Sequence, residues 1–305
     1  MTYSPSGQVE GELVVVPNLG EPSDFPSETS GRIALIERGT LPFGEKIVNA
    51  QAAGAIGVIL YNNREDNFTA TPRGPIPIPA VTISDDDGQA LRLLAAGGTV
   101  RMAMSIESVT SQGESLNVIA QAKDAGECRV VVGGHMDGVP AGPGANDNAS
   151  GTAVALEIAR VLAAHGNTEG VCFALFGAEE AGLLGSQHYV SQLSGKELGA
   201  ILGVLNFDML GVGELWPMVG TESLVSLAVE KAEALGVDAY PGELPTNVGS
   251  DHASFINAGV PGILFNCFCD ANYHTAADRY EFVRADRLKV AGEIGLAMVE
   301  ELLAG

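Results

Sequence analysis

Residues 128–164 read CRVVVGGHMDGVPAGPGANDNASGTAVALEIARVLAA and hold the pattern that decides the fold. A run of apolar, β-branched residues enters a glycine-rich loop, and that loop enters a segment whose apolar residues recur with the period of a helix. The recurring residues are Val154, Ile158, Val161 and Leu162. The stretch therefore predicts a buried strand followed by a helix that packs one face on a core.

The same alternation of strand and helix continues from Gly113 to the end of the chain. Strands are predicted at 116–122, 128–134, 171–177, 201–208 and 262–266. Helices are predicted at 149–164, 182–193, 221–235, 252–258 and 285–303. Continuous apolar strands between amphipathic helices indicate an α/β fold, with a mostly parallel mixed sheet covered by helices on both faces.

The first third of the chain has a different pattern. A strand at Ile33–Ile36 precedes a helical segment with Phe43 and Ile47 on one face, and a second apolar strand ends in the pair Asn62 and Asn63. After a loop rich in proline and threonine, a short helix around 90–95 and a strand around 100–106 are expected. We therefore divide the chain into a smaller β-rich domain, residues 1–110, and a second domain, residues 111–305.

Composition limits the classes of function. The 305 residues are 46% apolar, which is enough for a substantial core. With 16 basic and 38 acidic residues the net charge is −22, which argues against a nucleic-acid partner and would attract cations, including substrates with a free amino end. No window approaches the roughly 18 apolar residues of a membrane helix, so no membrane association is expected, and MTYSPSGQVE lacks the pattern of a secretory signal. The four cysteines include no CxxC pair and do not indicate a thiolate metal site.

Imidazoles and carboxylates follow the strands of the second domain. In such folds ligands bind beyond the carboxyl ends of the strands, so residues at those positions are the candidates for chemistry. These candidates are His135, Asp137, Asp147, Glu179, Glu180, Asp208, Tyr273 and His274. Taken singly, Asp147 suits a helix N-cap and the two glutamates suit a solvated helix start. Taken together they would need coincidences at successive strand ends, which favours a metal site.

The residue types specify which metal is expected. Imidazole and carboxylate ligands without thiolates suit zinc, and they outnumber the ligands that one catalytic zinc uses. A second zinc about 3.5–4 Å away would account for the surplus if one carboxylate bridged both ions. Asp147 is the natural bridge because its short side chain lies in a glycine-rich loop that can be approached from two sides. Asp137, two residues past His135, can accept the other ring N–H.

Five segments of the second domain resemble the two-zinc exopeptidase family that includes bacterial leucine aminopeptidases and aminopeptidase Y. They are GGHMDGVPAGPGANDNASGTA, FGAEEAGLLGSQHYV, LNFDMLG, SDHASF and YHTAADR. The resemblance implies two Zn²⁺ ions, one held by His135 and Asp208 and the other by Glu180 and His274, with Asp147 between them. It also implies Glu179 as the general base, Asp137 as the residue that orients His135, and Tyr273 as the donor to the developing oxyanion.

Residues 4–108 resemble the protease-associated domain, which is often inserted in the same family, most densely over GRIALIERGTLPFGEKIVNAQAAGAIGVILYNN. Members usually begin their catalytic domain with a helix and a strand before this insert, whereas the given sequence opens directly in the insert. Whether those elements were cleaved, omitted or lost, an uncovered sheet edge or face that a dimer could cover is expected. The two resemblances imply a secreted or cell-envelope aminopeptidase that removes apolar residues from peptides with a free N-terminus; because the sequence shows no signal peptide, a cytoplasmic location is kept as the alternative. A carboxypeptidase or dipeptidase of the same fold, and a non-catalytic receptor-like protein on a peptidase fold, remain as alternatives.

Overall fold

The structure is a computed structural model and describes residues 1–64, 67–72, 74–123, 125–244, 248–267 and 270–304. Its contacts divide the chain into two compact units. The first comprises Met1–Gly113, and the second comprises Glu114–Leu244 with the described residues from Val248 onward. No helix in the described ranges combines the length and the apolar character needed to span a bilayer.

The first unit is a five-stranded sheet with a helix on each face. Its elements are β1 (Gly7–Val15), β2 (Ile33–Glu37), α1 (Phe43–Ala52), β3 (Gly57–Tyr61), β4 (Ala80–Ile83), α2 (Asp85–Gly97) and β5 (Arg101–Ile106). The strand order is β4-β3-β2-β1-β5, and only the pair β1–β5 is antiparallel. Phe43 and Ile47 of α1 pack on one face of β2 and β3, as the helical spacing predicts.

A buried lysine joins α1 to the loops of the first unit. Lys46 is fully inaccessible to solvent, and its Nζ donates hydrogen bonds to the carbonyl oxygens of Leu19 and Glu37. Burial lowers the pKa of Lys46 from 10.5 to about 8, although the charges of Glu37, Glu21 and Asp24 oppose that shift. The ammonium group therefore stabilises two buried carbonyls at the expense of its own hydration.

The second unit is built on a seven-stranded sheet. Its strands are β6 (Val118–Gln121), β7 (Val130–His135), β8 (Val171–Phe176), β9 (Gly203–Phe207), β10 (Trp216–Gly220), β11 (Ala239–Pro241) and β12 (Gly262–Phe265). Its helices are α3 (Gly151–His165), α4 (Leu184–Gln192), α5 (Gly195–Ala200), α6 (Glu222–Ala234), α7 (His252–Asn257) and α8 (Ala285–Ala304). The order is β11-β10-β12-β9-β7-β8-β6, in which β6–β8 and β10–β12 are antiparallel and the other pairs are parallel. The predicted mostly parallel mixed sheet is thus confirmed.

Helices cover both faces of this sheet because alternate residues of its strands point to opposite sides. On one face, Val130 and Val132 of β7 share a core with residues of α3, α6 and α8. On the other face, Val131 packs in a second core with Phe255 of α7 and Tyr189 of α4. Adjacent β7 and β8 are also joined near their starts by a disulfide between Cys128 and Cys172.

Several elements differ from the sequence-based expectation. β1, β4, β10, β11 and α5 were not predicted, because they are short, contain proline or glycine, or alternate too weakly to stand out from loops. The helix expected around 90–95 spans Asp85–Gly97 and is capped by Ser84, whose hydroxyl accepts from the backbone N–H of Asp87. Among the described strands, β6 is the outermost on its side of the sheet, and all four of its residues are exposed.

Candidate metal centre

The structure brings the candidate residues to one edge of the second unit. β7 ends at His135, β8 leads to Glu179 and Glu180, and β9 leads to Asp208, and β7 lies between the other two strands. His274 follows β12, the next strand beyond β9. Because these strands run parallel, their carboxyl ends coincide, and residues far apart in sequence meet there.

Asp147 reaches this edge from a turn rather than from a helix. Gly144 adopts the left-handed conformation (φ 70°), and within the turn Ala145–Ser150 the backbone of Asp147 is non-helical (φ −113°, ψ 87°). α3 begins only at Gly151, so Asp147 does not occupy the N-cap position. The turn leaves its buried carboxylate directed at two imidazoles.

The distances show how the carboxylates and imidazoles are grouped. Asp147 Oδ1 lies 3.1 Å from His135 Nε2, and Asp147 Oδ2 lies 3.1 Å from His274 Nε2. His135 Nε2 is also 3.4 Å from Asp208 Oδ1, and His274 Nε2 is 3.0 Å from Glu180 Oε2. Two groups, each with its ligand atoms within 4.8 Å of one another, therefore share Asp147: His135 with Asp208, and His274 with Glu180.

The polar atoms of this cluster fit a divalent metal better than they fit one another. Within the described residues, Glu180 Oε1, Asp208 Oδ1 and His274 Nε2 are buried without a hydrogen-bond partner. Buried polar atoms are normally satisfied, so atoms left over at converging carboxylates and imidazoles indicate a ligand set. A set of nitrogen and oxygen donors without thiolate suits zinc or a similar ion.

The histidines are strongly influenced by the acids around them. Burial alone would lower the pKa of His135, but the charge of Asp208 and the contacts with Asp137 and Asp147 raise it well above its usual value. For His274, burial is likewise outweighed by Asp147 and Glu180, and the pKa rises to about 9. The carboxylates around the two histidines therefore favour bound positive charge. A metal ion would replace the protons that the imidazoles hold in its absence.

Asp137 contacts both the ring of His135 and the turn that carries the two glutamates. Its carboxylate oxygens accept from the backbone N–H groups of Glu179 (3.1 Å) and Glu180 (3.3 Å), so it holds the turn that carries both glutamates. His135 Nδ1 lies 3.1 Å from the carbonyl oxygen of Asp137 but 3.6 Å from its carboxylate. The nearer acceptor for the imidazole N–H is therefore the main chain of Asp137.

Glu179 and Tyr273 lie beside the two groups. Glu179 forms a third group with His135 and Glu180, and burial, followed by the charges of Asp251 and Asp208, raises its pKa well above the usual range even though His135 opposes the shift. The Tyr273 ring stacks on His274 with centroids 3.7 Å apart. Partial burial and neighbouring carboxylates raise the pKa of Tyr273, so its hydroxyl keeps its proton at neutral pH.

Three further polar residues belong to this edge of the sheet. Asp251 is fully buried, neither of its carboxylate oxygens has a hydrogen-bond partner in the described ranges, and burial raises its pKa to about 7. Burial lowers the pKa of the adjacent His252 to about 4. The sequence assigned both only a possible supporting role. Sequence reasoning did not identify Asp278, which is 4% exposed and accepts a hydrogen bond from the backbone N–H of Asp147. The signal that could have identified it is its position four residues after His274 in YHTAADR.

Comparison with known proteins defines the class to which this fold and site belong. A model described as peptidase family M28 matches residues 117–299, and a model described as the PA domain matches residues 9–91. The chain belongs to peptidase family M28. The family resemblance found in the sequence motifs is therefore confirmed.

Individual relatives are consistent with that assignment. The chain is 38% identical over 304 residues to aminopeptidase YwaD of Bacillus subtilis, a match that covers 93% of this chain and 65% of the relative. It is 36% identical over 320 residues to the probable leucine aminopeptidase 2 of Aspergillus oryzae, covering 91% of this chain and 64% of the relative. The chain thus spans slightly less than two thirds of the length of these two relatives.

Solved structures share the fold. An aminopeptidase from Aneurinibacillus sp. strain AM-1 matches with a TM-score of 0.76 and 30% identity over 98% of this chain and 76% of that one. BSAP, a protein described as a zinc aminopeptidase from Bacillus subtilis, matches with a TM-score of 0.66 and 34% identity over the same shares.

Proposed function

We propose that this chain is a two-zinc aminopeptidase that hydrolyses the N-terminal peptide bond of peptides. The observation that carries the proposal is the shared carboxylate, because Asp147 presents one oxygen to each of two groups of potential ligands. His135 and Asp208 would hold one zinc, and Glu180 and His274 would hold the other. The names of the similar aminopeptidases, and the description of BSAP as a zinc enzyme, support the same proposal.

Zinc bound there would polarise the scissile carbonyl and lower the pKa of a water molecule towards neutrality. Glu179, which lies with His135 and Glu180 beside the shared carboxylate, would take the proton of the attacking water and deliver it to the departing amine. Asp137 fixes Glu179 by accepting its backbone N–H. The protonated Tyr273 hydroxyl donates to the oxygen on which negative charge develops.

Specificity for a free N-terminus would come from negative charge. A substrate ammonium group is attracted by a chain with a net charge of −22 and can be held by Glu179 and Asp208 at the edge of the site. A carboxypeptidase would instead need a cation beside the metals to bind the substrate carboxylate. The preference for apolar N-terminal residues is part of the proposal, and the names of the leucine aminopeptidase relatives support it.

The test is a comparison of blocked and free substrates. The purified chain with zinc is assayed on leucine and glutamate p-nitroanilides, on N-acetyl-leucine p-nitroanilide, and on C-terminally amidated peptides. Cleavage of free leucine p-nitroanilide and of amidated peptides, without cleavage of the acetylated compound, is expected. Cleavage of the acetylated substrate would contradict an aminopeptidase, loss of activity on amidated peptides would indicate a carboxypeptidase, and zinc binding without turnover would indicate a receptor-like role.

Secretion to the cell envelope or beyond is also part of the proposal. The Cys128–Cys172 disulfide supports it, because disulfides persist mainly in oxidising compartments. Fractionation of the producing cells, with detection of the chain by antibody, tests this expectation. Recovery of the folded chain only from the cytoplasm, with both thiols reduced, would contradict it.

A further inference from the structure

Asp278 accepts hydrogen bonds from the backbone of the turn that carries Asp147. Its carboxylate is buried, and its two oxygens accept separate backbone N–H groups, Oδ1 from Asn146 at 2.7 Å and Oδ2 from Asp147 at 3.1 Å. The carbonyl oxygen of Asp278 also faces the backbone N–H of Ala145 at 3.4 Å. One residue thus contacts three consecutive amides of the turn that presents Asp147, from a distance of 131 positions along the chain.

The same residue belongs to the loop that carries His274. A hydrogen bond from the backbone N–H of Asp278 to the carbonyl oxygen of Thr275 (3.1 Å) closes a turn directly after His274. The two loops also meet at Gly142, where an added Cβ would overlap the carbonyl oxygen of Thr275. Asp278 therefore connects the backbone of Asp147, the proposed bridging ligand, with the loop of His274, which would bind only one of the two metals.

A bridging carboxylate tolerates little displacement, because each of its oxygens must reach a different ion. Asp147 lies in a non-helical turn outside the hydrogen-bond ladder of α3, so regular secondary structure does not fix its backbone. The Asp278 carboxylate accepts hydrogen bonds from two backbone N–H groups of this turn, those of Asn146 and Asp147. Hydrogen bonds to a charged acceptor are among the stronger ones.

We propose that Asp278 is a positioning residue that places Asp147 between the two metal ions by holding the turn 145–147 against the loop of His274. This inference rests on the proposed two-zinc function. It concerns a residue that would bind neither metal nor substrate, and its effect would pass through the backbone of Asp147. Partners of this kind typically contribute 10-fold to 100-fold to metal affinity or activity.

The chemistry of the side chain predicts a graded series of variants. Asp278→Asn keeps the size of the side chain and one acceptor oxygen, but it turns an NH₂ group towards an amide that also donates. Asp278→Ala removes both acceptors. Asp238→Asn, at an exposed position, removes one negative charge without touching the site and serves as the matched control.

The experiment measures metal binding directly. Zinc stoichiometry and affinity are determined by competition with a chromophoric chelator, and the d–d absorption of the Co²⁺-loaded protein reports ligand geometry. We expect Asp278→Asn to weaken at least one zinc about 10-fold and Asp278→Ala to weaken it up to about 100-fold. We also expect an altered Co²⁺ spectrum and a fall in kcat with little change in KM, with Asp238→Asn unchanged.

The possible failures can be told apart. Wild-type protein that binds fewer than two zinc ions would overturn the inference together with the proposed function. Wild-type protein with two zinc ions, and folded Asp278→Asn with the same two affinities and the same Co²⁺ spectrum, would overturn the inference alone. Should Asp278→Ala not fold, Asp278→Asn decides by itself, because circular dichroism and the metal measurements are made on the same sample.

Discussion

Replacing Glu179 by glutamine separates the tasks of the two adjacent glutamates. The amide is nearly isosteric, and it keeps the backbone hydrogen bond from residue 179 to Asp137. It removes one of several neighbouring negative charges, which include Asp208 and Asp251, so the fold should not suffer. If Glu179 is the base that we propose, the variant loses the group that accepts the proton of the attacking water.

The expected fall in kcat can be worked out from the loss of this one proton transfer. Positioned proton transfer contributes about 10²-fold to 10⁴-fold in rate. At 1.36 kcal/mol for each factor of ten, the transition state should lose roughly 3–5 kcal/mol of stabilisation. Because Glu179 belongs to neither of the two groups that share Asp147, the variant should keep both of the zinc ions that we propose, and KM should change little.

The assay combines kinetics with metal analysis. We compare kcat and KM on leucine p-nitroanilide with zinc content after gel filtration, for Glu179→Gln and for Glu180→Gln. Glu180 Oε2 lies 3.0 Å from His274 Nε2 and belongs to one ligand group, so Glu180→Gln should lose one zinc. A Glu179→Gln variant that retains more than a tenth of the wild-type kcat, or that loses zinc as Glu180→Gln does, would refute the assignment of the base.

Three further predictions concern stability. Removal of zinc by a chelator should lower the melting temperature, because a ligand at 100 times its Kd stabilises the folded state by about 2.7 kcal/mol; equal melting curves with and without zinc would argue against a metal centre. The unfolding free energy should rise between about pH 8 and 10.5, because the folded chain has released the Lys46 proton that the unfolded chain still binds; the shift from 10.5 to about 8 corresponds to roughly 3 kcal/mol. Urea unfolding of wild type and Lys46→Met at pH 7.5 and 10 tests this, and a stability difference that does not vary with pH would show that Lys46 is not the titrating group. Gly151→Ala should cost about 1–3 kcal/mol, because its Cβ would overlap the Phe207 carbonyl oxygen. Gly199→Ala, in the exposed helix α5 with nothing within 4 Å, should be neutral or stabilising by up to about 1 kcal/mol, and a similar loss in both variants would remove the steric explanation.

The strands around the site were predictable because they are continuous apolar runs typical of buried parallel strands, and the helices were predictable because their apolar residues recur with the helical period. The position of the site was predictable because parallel strands share one carboxyl edge, which places His135, Glu180 and Asp208 together on sequence grounds alone. β10 was missed because Pro217 and Gly220 lie within it, and only its neighbours β11 and β12 make it a strand.

Other features depend on contacts between distant segments and leave no local pattern. The turn of Asp147 donates backbone hydrogen bonds to Asp278, more than a hundred residues away, so neither its non-helical backbone nor this contact could be inferred from GPGANDNASG. Asp137 was expected to accept the second ring N–H of His135, and the acceptor nearest to His135 Nδ1 is the carbonyl oxygen of Asp137. Spacing along the chain identifies a partner but does not decide between its backbone and its side chain.

The disulfide near the starts of β7 and β8 has a consequence for handling this protein. The covalent ring from Cys128 to Cys172 encloses the segment with His135, Asp137 and Asp147, and on the chain-entropy account a ring of this length is worth about 4 kcal/mol. A dithiol reductant would act on the molecule twice, because it opens the ring and competes for zinc through its own thiolates. The protein should therefore be purified and assayed without reductant. If a dithiol is then added in increasing amounts, reduction of the disulfide and loss of zinc should both contribute to the fall in activity.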